Sequence, residues 1–500
     1  MELKRKQLKE YRMLQSSVQQ FEQQIDLIIP DVNPDALTVL GVWGRCAITE
    51  QQLRKDRVTA AGTVDFTLLY RPENGGNTIS LKGNLNFQEM LECKGAEEEN
   101  LLFLRAEVME LRGKILNSRK IGIHCRVVLY AWVYQHSSHL LTEGVESKPE
   151  EGIQQRLIQN QVHRMVAVLE KTQTIHEEVR LGDGAAQVQL IHSTLQWNAE
   201  DVRMLNKKLM VRGAVQVRLL VLAEGETMRE MEYALPFSQI VESNEVRPDC
   251  SAVLHYATGK QQLQLERRED GLFLACDLRA KIMVEVYREQ RETVVADLYS
   301  TRYHTLVKTE PIPASGCKPD RISTAVRETV KMDAAVHKVL QWNCIGAWAE
   351  VSDEKIKGTY TIAVLWEDET GNKTQTCFML RDEQQAAGLC SGAVGVVVHT
   401  LTVAATGVGM KIESQVQYEV HRTNDVRCAQ VVSCELETSR PRTGYVPGTL
   451  LLRTVGVNES TWDLARDYGT TESAILSANH LLPDQMLEKD QLVMIPVLRK

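Results

Sequence analysis

Three times along this chain a glycine opens a nine-residue run in which apolar side chains recur at every second position. Gly62 begins GTVDFTLLY, Gly213 begins GAVQVRLLV and Gly358 begins GTYTIAVLW. Period-two alternation with β-branched enrichment specifies a strand with one buried face. Recurrence at a distance constrains a fold more than any single motif does. The glycines lie 151 and 145 residues apart, too far for a solenoid unit, so they describe tandem domains.

Other landmarks recur around each glycine. Ahead of it come apolar triplets: Phe21, Ile25 and Leu27; Ile175, Val179 and Leu181; Val326, Val330 and Met332. Between the two lies a tryptophan, Trp43, Trp197 or Trp342, which recurrence marks as a shared core anchor. Behind it come a glycine-bearing turn and the segments NFQEM around Phe87, PFSQI around Phe237 and the weaker FMLRD around Leu380. Long strand-like runs at 121–134, 274–287 and 410–420 close the copies. Alternating strands, glycine turns and few helical patterns favour a β-sandwich or a partly closed barrel. The polar stretch 136–151 and the Pro/Gly-bearing stretch 310–320 read as boundaries, 440–447 as a linker, and 154–171, with apolar residues near helical spacing, as a helix before the second copy.

The last fifty residues follow another pattern. Leu450 to Thr454 reads as a strand, and Ser460 followed by Asp463 has the spacing of a helix cap. Trp462, Ala465 and Tyr468 supply one apolar helix face, and Gly469 stops the helix. Thr470 and Thr471 can cap a second helix with Ala474, Ile475 and Ala478 as its buried stripe, Asn479 ends it, and 492–497 closes as a strand. Aromatic residues at helical spacing usually pack inward, so Trp462 and Tyr468 are expected in the core.

This strand-helix-helix-strand unit resembles the LysM module in its helix entry STWDLA from Ser460, in Asp467-Tyr468-Gly469-Thr470, in Ala478-Asn479, and in the terminal Leu492, Ile495 and Pro496. It departs from the usual LysM pattern at Asn458-Glu459 and at Thr461. Upstream, the stretch 25–49 with the Gly62 strand, together with PFSQI, resembles the SPOCS domain of endospore-forming bacteria. The layout is similar to that of a family of sporulation proteins that join SPOCS domains to a terminal LysM. The resemblance implies a mainly β fold: three tandem β-sandwich or barrel-like domains at 1–135, 152–303 and 306–438, then a small α+β LysM module at 445–498.

It also implies a non-enzymatic coat-assembly protein of the mother-cell cytoplasm, at the forespore surface. The implied partner is the coat-morphogenetic ATPase, stage IV sporulation protein A or a relative of it. The LysM alternative is an N-acetylglucosamine-containing glycan of peptidoglycan or spore cortex. In either case the groove would be formed by Asn458, Glu459, Ser460 and Thr461 facing Leu481, Leu482, Pro483 and Met486. Leu482, Pro483 and Met486 could give it an apolar centre.

The residues themselves point away from chemistry. No phosphate-binding loop, nucleophile elbow, H-E-x-x-H or strand-linked G-x-G-x-x-G occurs. His176-Glu177-Glu178 reads as a solvated face, and no cofactor or metal is expected. A formal charge of -8 argues against nucleic acid as partner. No run of eighteen apolar residues is present, and MELKRKQLKE leads into no apolar signal core, so cytoplasmic residence is expected. The eleven cysteines contain no C-x-x-C pair; Cys46, Cys125 and Cys276 read as small buried hydrophobes.

Overall fold

The computed structural model describes residues 1–182, 188–223, 227–312, 317–406, 409–423, 428–442, 450–483 and 485–496. Almost all of it is antiparallel strand. The first repeat supplies β1 Glu2–Ile28, β2 Ala36–Arg54, β3 Arg57–Pro72, β4 Ile79–Glu92, β5 Leu101–Asn117 and β6 Lys120–Glu146. The second supplies β7 Ile153–Gly182, β8 Val188–Leu205, β9 Lys208–Ala223, β10 Thr227–Glu242, β11 Cys250–Arg268 and β12 Gly271–Ser300. After β13 Tyr303–Pro311, the third supplies β14 Cys317–Lys331, β15 Val336–Ser352, β16 Lys355–Asp368, β17 Lys373–Gln385, β18 Gly392–Thr406 and β19 Gly409–Thr423. The second, third and fourth strands of each repeat are hydrogen-bonded in sequence order; the sixth lies between the first and the fifth. The two resulting layers enclose one apolar core per repeat. In the third repeat β18 also pairs with β15, so all six strands form one sheet curled around its core.

Alternation decides which residues fill those cores. Val64, Phe66, Leu68 and Tyr70 point inward from β3, as do Val215, Val217, Leu219 and Val221 from β9, and Tyr360, Ile362, Val364 and Trp366 from β16. These are the second, fourth, sixth and eighth residues after each glycine. The seventh, Leu69, Leu220 or Leu365, must point the other way, and all three meet in a shared cluster with Leu40, Ile191 and Leu340. The latter three sit at register shifts of the pairings β2 with β3, β8 with β9, and β15 with β16. A bulge inserts an extra residue and re-aims the side chains beside it. The repeats therefore share an apolar junction outside their own cores.

Trp43 belongs to that junction, whereas Trp197 and Trp342 pack into the cores of their own repeats. The expected common anchor is thus corrected. Trp43 pairs across from Thr67, the fifth residue after Gly62, while Trp197 and Trp342 lie across from Val215 and Val364 on the core face.

The glycines face a bulky neighbour on the adjoining strand. Gly62 pairs with Phe87 and Gly213 with Phe237, but Gly358 pairs with Asp382, two residues past Leu380. There the hydroxyls of Tyr360 and Tyr418, bonded to each other, occupy the space a Cβ at Gly358 would need, and Tyr418 donates to Asp382. At Gly213 the obstacle is backbone: a Cβ would lie 2.0 Å from the Asn198 carbonyl oxygen. Gly213→Ala is accordingly expected to lower stability by about 1–3 kcal/mol, as overpacking of a close-packed site does, read as a lower urea midpoint. An unchanged midpoint would contradict the pairing of β8 with β9 at this position.

Several expectations are overturned. Residues 154–171 are not a helix; they lie in β7 and pair along β12. A register shift at Val166 moves the buried positions from one parity to the other, and this mixture imitates helical spacing. The stretch 136–146 is not a connector but the far half of β6, paired with the start of β1; its polar residues sit on a partly exposed strand. Cys46, Cys125 and Cys276 are free thiols, whereas Cys390 is disulfide-bonded. Bridging depends on distance in the fold and leaves no mark in sequence spacing.

A further ribbon joins the body to the terminal unit. β20 Ala429–Pro441 pairs with β13. Gln430 and Val431 of β20 accept hydrogen bonds from the Thr142 amide (3.0 Å) and hydroxyl (2.7 Å) of β6. Arg440 and Pro441 are therefore strand, with Arg442 just past it; 443–447, the rest of the expected linker, lies outside the described residues. The terminal unit consists of β21 Leu450–Thr454, α1 Thr461–Tyr468, α2 Glu472–Asn479 and β22 Leu492–Pro496, with β21 and β22 antiparallel.

Candidate functional site

The terminal unit is held together by local chemistry. Ser460 caps α1: its hydroxyl accepts from the Asp463 amide (3.2 Å), and its own amide donates to the Asp463 carboxylate (3.1 Å). Burial pushes the Asp463 carboxyl up, but the bonds from Ser460 and the nearby Arg466 outweigh it and hold the group below its ordinary value. Gly469 ends α1 at φ 64°, a left-handed conformation that a Cβ would strain. The Thr471 hydroxyl caps α2 at the Ala474 amide. Asn479, the last residue of α2, brackets β22 by donating to the Met494 carbonyl (2.6 Å) and accepting from its amide (2.7 Å).

One face of the unit is closed against the body. Trp462 is 5% exposed and packs with Val455, Leu464, Ala465, Ile475, Val493 and Ile495, in a cluster that Tyr299 of β12 completes. The Tyr299 ring meets Trp462 edge-on at 4.9 Å, and its hydroxyl donates to the Thr470 carbonyl at 2.9 Å. Oδ2 of Asp297 accepts from Trp462 Nε1 (2.9 Å) and from the Arg466 guanidinium (2.7 Å). Arg442, just past β20, donates to the carbonyls of Tyr303 and Arg466. The unit therefore sits in a socket made by β12 and the ribbon, and part of its core belongs to the second repeat.

The eight residues expected to line a groove divide into two sets. Three of the four polar ones are engaged inside the unit. Glu459 accepts from the Gly456 amide (2.6 Å) and pairs with Arg453 (3.1 Å). Ser460 is the cap, and the buried Thr461 donates from its hydroxyl to Glu472 at 2.5 Å. Asn458 is exposed, at φ 58°. On the opposite loop Leu481 is half-buried, with its amide bonded to the Leu476 carbonyl. Leu482 is 73% and Met486 92% exposed, and Pro483 is exposed as well.

Sequence reasoning missed the apolar surface beyond that loop. Val457 is exposed, and so are Leu450, Leu452 and Leu492 on the outer side of the β21–β22 pair. Alternation identifies them in retrospect, because Leu451, Val493 and Ile495 take the inner face. Asp297, Tyr299 and Arg442 were missed too, since nothing local in β12 marks a receptor for a unit more than a hundred residues away and nothing beside β20 marks Arg442 as a contact to it.

This fold and site define a class: a protein of repeated antiparallel β units that carries a small two-helix terminal module on a fixed mount. Residues 35–116, from just before β2 to the end of β5, match the family model described as SipL, SPOCS domain. That match makes this part of the first repeat similar to the SPOCS domain of SipL; no enzyme family is indicated. No curated protein and no solved structure matches the chain. Among the described residues no helix is long and apolar enough to cross a membrane.

Proposed function

We propose that the chain is a non-enzymatic assembly protein of the spore coat. In this reading three SPOCS-like units at 1–135, 152–303 and 306–438 carry a LysM-like module at 445–498. The module docks onto the coat-morphogenetic ATPase, stage IV sporulation protein A or its like, at the forespore surface in the mother cell. The observation that carries the reading is the division of the groove. Glu459, Ser460 and Thr461 are committed to internal hydrogen bonds, while Val457, Leu482, Pro483 and Met486 stand in solvent. A sugar site needs convergent polar groups, whereas an exposed apolar patch marks a protein interface. The altered residues Asn458-Glu459 and Thr461 fall on the loop where LysM modules ordinarily meet glycan.

Co-purification from sporulating cells tests this. The full chain is expected to retain the ATPase and to lose it on Leu482→Asp, while sedimenting no better with insoluble peptidoglycan than a control protein does. Retention on peptidoglycan that survives Leu482→Asp, with no ATPase recovered, would replace the docking reading with a glycan-binding one.

A further inference from the structure

Away from the module, four polar side chains from all three repeats converge on one carboxylate. Glu285 of β12 is fully buried. Its Oε1 accepts from the Tyr134 hydroxyl of β6 at 2.5 Å and lies 3.3 Å from Nε2 of His255 on β11. Its Oε2 accepts from the Tyr287 hydroxyl at 2.8 Å and lies 3.2 Å from Nε2 of His421 on β19. His421 Nε2 is also 3.1 Å from the Tyr287 hydroxyl. Tyr134 and Tyr287 stand near the middle of β6 and β12, and His421 near the end of β19, the sixth strand of each repeat. His255 is enclosed by the rings of Trp132 (5.8 Å) and Phe103 (6.2 Å).

The charged groups around this cluster are few. β5 contributes Arg105 and Glu107, which pair with each other, and β19 contributes Glu419, within 3.7 Å of Arg321 on β14. Arg105 and Glu419 both act on His255 through space, in opposite senses. The phenol of Tyr130, on β6 over Arg105, is engaged with the Ala347 carbonyl. None of these supplies Glu285 with a direct counter-charge, so among the described residues its charged-type partners are the imidazoles of His255 and His421. A carboxylate withdrawn from water costs several kcal/mol unless a cation or a full set of donors meets it.

We propose that this cluster is a pH-sensitive joint. With an imidazolium on His255 it clamps the first and third repeats onto the second, and loss of that proton loosens the contact. Burial alone would lower the pKa of His255, but the Glu285 carboxylate overcomes it and raises the imidazole above its ordinary 6.5. Burial likewise pushes Glu285 up, and the two histidines more than reverse this, holding it well below 4.5. A raised histidine stabilises fully below its unfolded pKa and ceases to do so as pH rises through its folded one. A depressed carboxyl stabilises above 4.5 and ceases to do so as pH falls through its folded value. The joint is therefore tightest in mild acid and opens on the alkaline side. β12 also carries Asp297 and Tyr299, so the strand that holds the joint is the one that holds the terminal module.

The test uses the full chain. Hydrogen exchange at the β12 amides around Glu285, corrected for intrinsic rate, is expected to report an opening equilibrium that rises about tenfold per pH unit above about pH 6.5, until the folded pKa of His255 is passed. In His255→Gln the same amides should show no such dependence. NMR titration of the wild-type His255 imidazole, assigned from its contacts with Trp132 and Phe103, keeps the test decisive if that variant fails to fold. A titration midpoint above 6.5 supports the joint. A midpoint at or below that value, a flat wild-type exchange profile, or an unchanged dependence in His255→Gln would overturn it.

Discussion

Glu285→Ala is expected to destabilise the body by about 3–5 kcal/mol, because removing one partner of a buried ion pair strands the other. The alanine would leave the Tyr134 hydroxyl and the His255 imidazole facing a cavity with no acceptor, and Tyr287 and His421 with only each other. An unsatisfied buried donor costs about 1–3 kcal/mol by itself. The loss should appear as a drop in the urea midpoint of the main transition. A midpoint within error of wild type would mean that the cluster is wetter and less coupled than its burial implies.

Trp462→Ala is expected to act as strongly, but on another part of the molecule. Truncating a buried tryptophan costs about 3–5 kcal/mol, and here it also removes the ring that joins the module to Tyr299 and the indole donor to Asp297. Thermal unfolding should then separate into an early event confined to the module and a later one of the body. Module unfolding should be seen as rapid exchange of the α1 and α2 amides while β12 stays protected. Simultaneous loss of both regions would show that the module and the body unfold as one unit. An unchanged melting curve would contradict the socket.

What could be read from the sequence follows from the range of each interaction. The central strands, the caps at Ser460 and Thr471 and the stop at Gly469 are set by neighbours within a few residues, and their residue types announce them. The hairpins leading into the glycine strands left no such sign. Their two-residue turns are Lys55-Asp56, Asn206-Lys207 and Asp353-Glu354, without the glycine that usually accompanies a left-handed turn residue. The junction of the repeats was present in the letters but unread, as the large apolar residue at the seventh position, Leu69, Leu220 or Leu365, on a face otherwise made of polar residues and alanine. The β7 strand was misread because the bulge at Val166 mixes its two faces. Asp297 and Tyr299 could not be found at all. An acid and an aromatic on a strand become a receptor only when the chain brings Trp462 to them.

The same distinction separates the two halves of the candidate groove. Glu459, Ser460 and Thr461 look available in the sequence because they are polar, yet each satisfies a backbone or side-chain group a few residues away. Leu482 and Met486 read in the sequence as an apolar centre for the groove, and both are exposed because the core is already filled by Val455, Leu464, Ile475, Val493 and Ile495. Apolar side chains left outside a complete core are the feature a binding partner would use.

Titration of the purified chain against purified coat-morphogenetic ATPase, with the Leu482→Asp/Met486→Asp double variant alongside, addresses this directly. Both positions are exposed, so the double variant should melt within about 0.5 kcal/mol of wild type per substitution. Saturable binding by wild type, weakened by a factor of about thirty or more in the variant as for loss of an interface hot spot, is the expected result. Equal binding by the two proteins, or none by either, would contradict docking through this loop.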